Sequence, residues 1–146
     1  MPNKSDAMLQ LDNQLCFALY STSLAMTKIY KPLLDELGLT YPQYLAMLAL
    51  WEKDGLMVSE LGQRLYLDSG TLTPLLKRLE VSGFITRIRA VEDERRVHIT
   101  LTATGRKLKT RAAKIPGCIL SASQCSLSEL SDLTRQIQSL RQHLAA

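Results

Sequence analysis

The period of the sequence changes at Gly83, and few features restrict a fold more than a change of period. Before it, VSELGQRLYLDSGTLTPLLKRLE carries apolar residues at helical spacing, with Leu72, Leu75, Leu76 and Leu79 at i, i+3, i+4 and i+7. After it, FITRIRA and RRVHITLT alternate apolar with polar residues and are rich in β-branched types, which is the pattern of strands. The break at LDSG predicts two helices joined by a short turn, and the polar VEDER predicts the tip of a hairpin. Helix, turn, helix and hairpin in that order make a winged helix-turn-helix.

The flanking segments are helical. Asp12 can cap a helix with apolar positions Leu15, Leu19, Met26, Ile29 and Leu33, and Pro32 should kink or break it. A short helix through KPLLDELGL should end at Gly38, and TYPQYLAMLALWE, with Thr40 as candidate cap, reads as a helix buried on most sides. From Thr102 a long helix runs through ATGRKLKTRAAKIPGCILSAS with a kink expected near Pro116 and Gly117. The S-x-x-E pattern of Ser126 to Glu129 is a capping box opening a final helix through Leu144. The fold class is therefore mainly α with a small β-hairpin wing.

At 146 residues the chain fits one domain with a real core. No uninterrupted apolar run approaches the roughly 18 to 20 residues of a membrane span, and MPNKSDAMLQ lacks an apolar signal core, so a cytoplasmic location is expected. In that reducing compartment the three cysteines are expected to be free thiols. Cys118 and Cys125, with only His98 and His143 elsewhere, lack zinc-ligand spacing. The sequence also has no Gly-rich phosphate loop and no carboxylate pair or Ser/His/Asp set that periodicity would unite. Neither a cofactor, a metal nor an enzyme activity is called for.

Charge points to a polyanion. Lys77 to Arg111 holds ten basic against four acidic residues, a local +6 within a net +4, so the remainder sums to −2. In the second helix the face opposite the leucine stripe is small and basic, with Thr73, Pro74 and Lys77 at its centre and Thr71 and Arg78 at its edges. Such a helix can enter a major groove of duplex DNA, while a basic hairpin tip reaches the adjacent minor groove. The candidate DNA contacts are Ser69, Thr71, Thr73, Pro74, Lys77 and Arg78 on the helix, with Arg87, Asp93, Arg95 and Arg96 on the hairpin. The plainer alternative is a solvated charged face.

DERRVHITLT has the D-x-R followed by L-T that typifies the MarR-type repressors, and LYLDSGTLTPLLKRLE resembles their recognition helix. With LDNQLCFALYS and LTYPQYLAMLALWE, the resemblance covers nearly the whole chain and sharpens to the organic-peroxide-sensing OhrR branch. It implies a homodimer built from the terminal segments, 1–38 and 103–146, around a winged DNA-binding region, 39–102. Such a dimer would read two half-sites of a pseudopalindromic operator. Asp93 would brace Arg95, the wing-tip residue expected in the minor groove.

Cys16 lies among apolar helix formers and reads first as a small buried hydrophobe. With Asp12 as cap it would be the fourth helical residue, where the positive end of the helix dipole favours the thiolate that attacks a peroxide. The resemblance makes Cys16 the redox sensor, with Tyr30 and Tyr41 hydrogen-bonding it from the other subunit and an organic hydroperoxide as effector. It places the resolving cysteine of two-cysteine members at Ser121. That leaves Cys118, Cys125 or a low-molecular-weight thiol to capture the oxidised sulfur. Two rival functions remain at this level: a MarR-type repressor released by a noncovalent small phenolic ligand, and a thiol peroxidase.

Overall fold

The computed structural model describes residues 4–93 and 96–145. In chain order its elements are α1 (Lys4–Met8), a 3-10 turn (Leu11–Asn13), α2 (Leu15–Asp35), α3 (Tyr41–Glu52), β1 (Leu56–Met57), α4 (Val58–Leu65) and α5 (Ser69–Val81). There follow β2 (Ile85–Arg89), β3 (Val97–Leu101), α6 (Ala103–Ala112), α7 (Ile115–Ser123) and α8 (Leu127–Ala145). They fall into two compact units, residues 30–113 and residues 1–29 with 114–146.

Unit 30–113 holds most of the buried side chains. α3 starts where the sequence says, because Thr40 Oγ1 accepts the Gln43 N–H at 3.3 Å while Gln43 Oε1 accepts the Thr40 N–H at 2.9 Å. Its Tyr44, Ala46, Met47, Ala49 and Leu50 are buried. The leucine stripe of α5 is buried at all four positions, Leu72, Leu75, Leu76 and Leu79. Gly83, at φ +84°, takes the left-handed backbone that ends this helix and turns the chain into β2.

The wing is a three-stranded antiparallel sheet of order β1-β3-β2, with Ile85 opposite Leu101 and Leu56 opposite Ile99. β1 was not legible: two residues are too few for alternation, and it forms because β3 has a second edge to satisfy. α6 lies close against the hairpin. Trp51 Nε1 donates to the Gly105 carbonyl at 2.9 Å, and a Cβ at Gly105 would stand 2.1 Å from the Phe84 carbonyl oxygen.

Three sequence expectations are corrected. Asp12 does not cap α2; it sits in the 3-10 turn, and α2 begins at Leu15. Pro32 neither ends α2 nor starts a new helix: α2 runs on to Asp35, and Gly38, at φ +72°, closes the turn beyond it. The long C-terminal helix is interrupted at Ala113 and Lys114 rather than at Pro116 and Gly117, because Pro116 occupies an early position of α7, where its missing N–H has no role to lose. Ser126 and Glu129 do form the reciprocal cap of α8, both bonds at 3.1 Å.

In the unit of residues 1–29 and 114–146, apolar side chains stand in solvent. Leu15, Phe17, Tyr20, Leu24 and Met26 of α2 are exposed, as are Leu127, Leu133 and Ile137 of α8, which buries no residue at all.

Candidate functional site

α5 starts at Ser69 because Asp68 Oδ1 accepts the Thr71 N–H at 2.7 Å, and the same bond holds the Asp68 carboxyl below its usual range. With the leucine stripe turned inward, Ser69, Thr71, Pro74, Lys77 and Arg78 are exposed and Thr73 is half-buried. The six helix-borne candidates therefore lie on one element, outside its core-facing stripe. Pro74 is sixth in α5, past the positions whose amides lack acceptors, so it leaves the Gly70 carbonyl without its i+4 donor.

The hairpin residues divide. Arg96 is exposed at the tip end of the hairpin, where its N–H donates to the Asp93 carbonyl at 2.9 Å and its carbonyl accepts the Ala90 N–H at 2.8 Å. Asp93 is exposed beside it; Arg95 lies outside the described residues. Arg87 is held within the chain: its Nε and Nη2 donate to Glu80 Oε1 at 3.3 and 3.2 Å, and its backbone N–H donates to Glu80 Oε2 at 3.3 Å. Glu80 was missed because nothing in sequence spacing joins the last turn of a helix to the third residue of the next strand.

Cys16 is the second residue of α2, two positions nearer the helix start than expected, and it is exposed. Its amide is one of those that a helix start leaves without an intrahelical acceptor. The neighbouring Leu15 and Phe17 are exposed as well. Cys118, fourth in α7, and Cys125, in the link before α8, are half-buried; the Cys125 thiol lies 3.4 Å from the Ser123 carbonyl. Ser121 is exposed on α7.

Tyr30 and Tyr41 come together in the other unit, with ring centroids 4.9 Å apart, and Tyr44 completes the group at 5.9 and 6.4 Å. Tyr44 in turn meets Trp51 edge-on at 6.5 Å. Burial, with the neighbouring Tyr41 and Tyr44, pushes the Tyr30 phenol up to about 12, and burial raises Tyr41 and Tyr44 also. At neutral pH all three phenols keep their protons, so each has an O–H to donate. Tyr44 was missed, although a signal existed: in TYPQY it follows Tyr41 by three residues, which puts both on one face of α3.

Comparison with known proteins bears on both halves. Residues 28–112 match the family model of the transcriptional regulators SarA/Rot. The chain is 56% identical over 144 residues to the organic hydroperoxide resistance transcriptional regulator of Bacillus subtilis strain 168, covering 99% of this chain and 97% of that one. Among solved structures, reduced AbfR bound to DNA, a protein of Staphylococcus epidermidis, superposes with TM-score 0.80 at 34% identity over 97% of this chain and 99% of its own. The disulfide form of AbfR superposes with TM-score 0.64 at 35% identity, over 97% of this chain and 94% of its own.

Proposed function

The chain belongs to the MarR-type winged-helix transcriptional regulators, in the branch of the organic hydroperoxide resistance regulators, and from that premise we propose how it works. It is a homodimeric repressor that binds a pseudopalindromic operator while Cys16 is reduced and releases it when an organic hydroperoxide oxidises that thiol. The observation that carries this reading is the exposed Cys16 in the first turn of α2, on a helix whose apolar side chains are uncovered. A hydrophobic peroxide meets apolar neighbours there, and a second subunit has a surface to cover.

The chemistry is two-electron. The Cys16 thiolate attacks the terminal peroxide oxygen of ROOH; the O–O bond breaks, the alkoxide takes a proton and leaves as ROH, and Cys16 becomes a sulfenic acid. A second thiol then displaces water to give a disulfide. Tyr30 and Tyr41 of the other subunit donate hydrogen bonds to the sulfur, a role suited to phenols that hold their protons. Cys118 is the first candidate for the second thiol because it lies on a regular helix, followed by Cys125 and by a small cellular thiol.

Reading heads of Ser69, Thr71, Thr73, Pro74, Lys77 and Arg78 enter successive major grooves, and the wings, with Asp93, Arg95 and Arg96, reach the flanking minor grooves, while Arg87, paired with Glu80, braces the wing against α5. Oxidation changes the dimer contacts and so the relation of the two heads, and affinity falls.

The test uses reduced wild type and the Cys16→Ser, Cys118→Ser and Cys125→Ser variants, each treated with cumene hydroperoxide. Operator binding is followed beside nonreducing gels. Release should be lost in Cys16→Ser alone; release retained there overturns the sensor assignment and favours a noncovalent effector. A disulfide-linked dimer lost only in one C-terminal variant identifies the second thiol, and a small mass adduct on Cys16 without a dimer identifies a free thiol instead.

A further inference from the structure

Three phenols of unit 30–113 meet where α2 ends and α3 begins. Tyr30 on α2 and Tyr41, the first residue of α3, stand with ring centroids 4.9 Å apart and planes tilted by 53°. Both are half-buried, so each keeps an edge open to solvent, whereas Tyr44, at 5.9 and 6.4 Å from them, is buried. The Thr40 cap and the turn at Gly38 fix the two helices at this point. At this separation the rings are in contact, and the carbons ortho to the hydroxyls of one ring lie close to the other ring.

We propose that Tyr30 and Tyr41 form a one-electron oxidation site, at which alkoxyl radicals join the two rings in a dityrosine bond within one chain. The radical RO• arises when a single electron, as from ferrous iron, splits the O–O bond of an organic hydroperoxide and releases hydroxide. Each phenol gives a hydrogen atom to one RO•, which leaves as ROH. The two phenoxyl radicals couple at their ortho carbons, and the hydrogens displaced there move to the oxygens and restore both hydroxyls. Two RO• are thus reduced to two ROH, and the chain loses two hydrogen atoms.

The phenols hold their protons, so they react by hydrogen-atom transfer to a radical rather than as phenolates open to weaker oxidants. Beside the sensor reading above, this divides the two chemistries: the intact hydroperoxide oxidises Cys16 by two electrons, and its radical product goes to the tyrosines. The bond would close a short covalent loop from residue 30 to residue 41 and staple α2 to α3.

The test treats full-length reduced wild type with cumene hydroperoxide, with and without ferrous iron, and reads dityrosine fluorescence beside the mass of the tryptic peptide of residues 29–53. Trypsin spares the Lys31–Pro32 bond, so that peptide carries Tyr30, Tyr41 and Tyr44 but neither Tyr20 nor Tyr66. With iron the peptide should appear two hydrogen atoms lighter, with no backbone fragments between Tyr30 and Tyr41, and hydroperoxide alone should leave its mass unchanged. Tyr30→Phe and Tyr41→Phe should each lose the product, and Tyr44→Phe should keep it. Wild type unfolded in urea should lose it too, because the rings are no longer held together.

An unchanged peptide mass in folded wild type with iron overturns the proposal. So does product that forms with hydroperoxide alone, persists in Tyr30→Phe or Tyr41→Phe, forms equally in urea, or joins only separate chains through the exposed Tyr20 and Tyr66. A Cys16 thiol that survives hydroperoxide alone overturns the sensor reading and leaves the tyrosine site standing.

Discussion

Tyr30 is the phenol whose chemistry the fold alters most. Its phenol, pushed up to about 12, keeps in the folded state a proton that the unfolded chain releases near pH 10. The sign follows: this contribution to stability is fully present below pH 10 and is lost as pH rises towards 12. Tyr30→Phe should therefore flatten the fall of unfolding free energy between pH 10 and 12, measured by denaturant titration at fixed pH; an unchanged slope contradicts the assignment. Tyr44 has a different part in the same group. It is 3% exposed and touches both tyrosines and Trp51, so Tyr44→Ala should cost about 3–5 kcal/mol, read from the urea midpoint, whereas Tyr44→Phe should cost far less.

Two substitutions probe how elements are held. Gly105→Ala places a Cβ 2.1 Å from the Phe84 carbonyl oxygen, backbone against backbone, so α6 must move off the wing root. A loss above about 2 kcal/mol, with red-shifted Trp51 fluorescence as its bond to Gly105 is disturbed, is the expected outcome. Pro74→Ala acts in the opposite direction. Restoring an N–H opposite the Gly70 carbonyl should stabilise α5 by about 1 kcal/mol or more and raise Tm, while operator affinity falls because an exposed apolar ring is lost from the reading face. If affinity is unchanged, Pro74 is no contact.

What the sequence revealed at this scale follows its periods. The stripe of Leu72, Leu75, Leu76 and Leu79, the cap at Thr40 and the turn at Gly83 are local patterns with one physical outcome each, and they stand as read. Asp12 and Pro116 were misplaced because a cap or a break depends on which of several adjacent turns the chain settles in. A 3-10 turn took up Asp12, and an early helical position accommodated Pro116. β1 depends on a partner strand far along the chain, and the Glu80–Arg87 pair joins a helix to the next strand, so no single periodicity unites either; Tyr44 was legible in the spacing of TYPQY.

For the whole molecule, the uncovered side chains decide what the single chain lacks. Leu24 is 50% exposed and Leu133 is 51% exposed, although each lies on a long, regular helix whose other apolar neighbours are also open to water. Burying such a surface against a second copy recovers about 25 cal/mol for each Å² removed from water, which favours a dimer formed through the terminal segments. Leu24→Glu and Leu133→Glu should each leave the winged unit folded, with a normal Trp51 signal, while sedimentation shifts from dimer towards monomer. A monomer holds one half-site without the second being tethered nearby. Affinity for a two-half-site duplex should then fall by about 100-fold or more, while affinity for a single half-site changes little. In wild type, inserting five base pairs between the half-sites turns one head to the opposite side of the duplex and should weaken binding comparably. If the glutamate variants remain dimeric, or if the insertion is tolerated, the two heads are not joined through these helices.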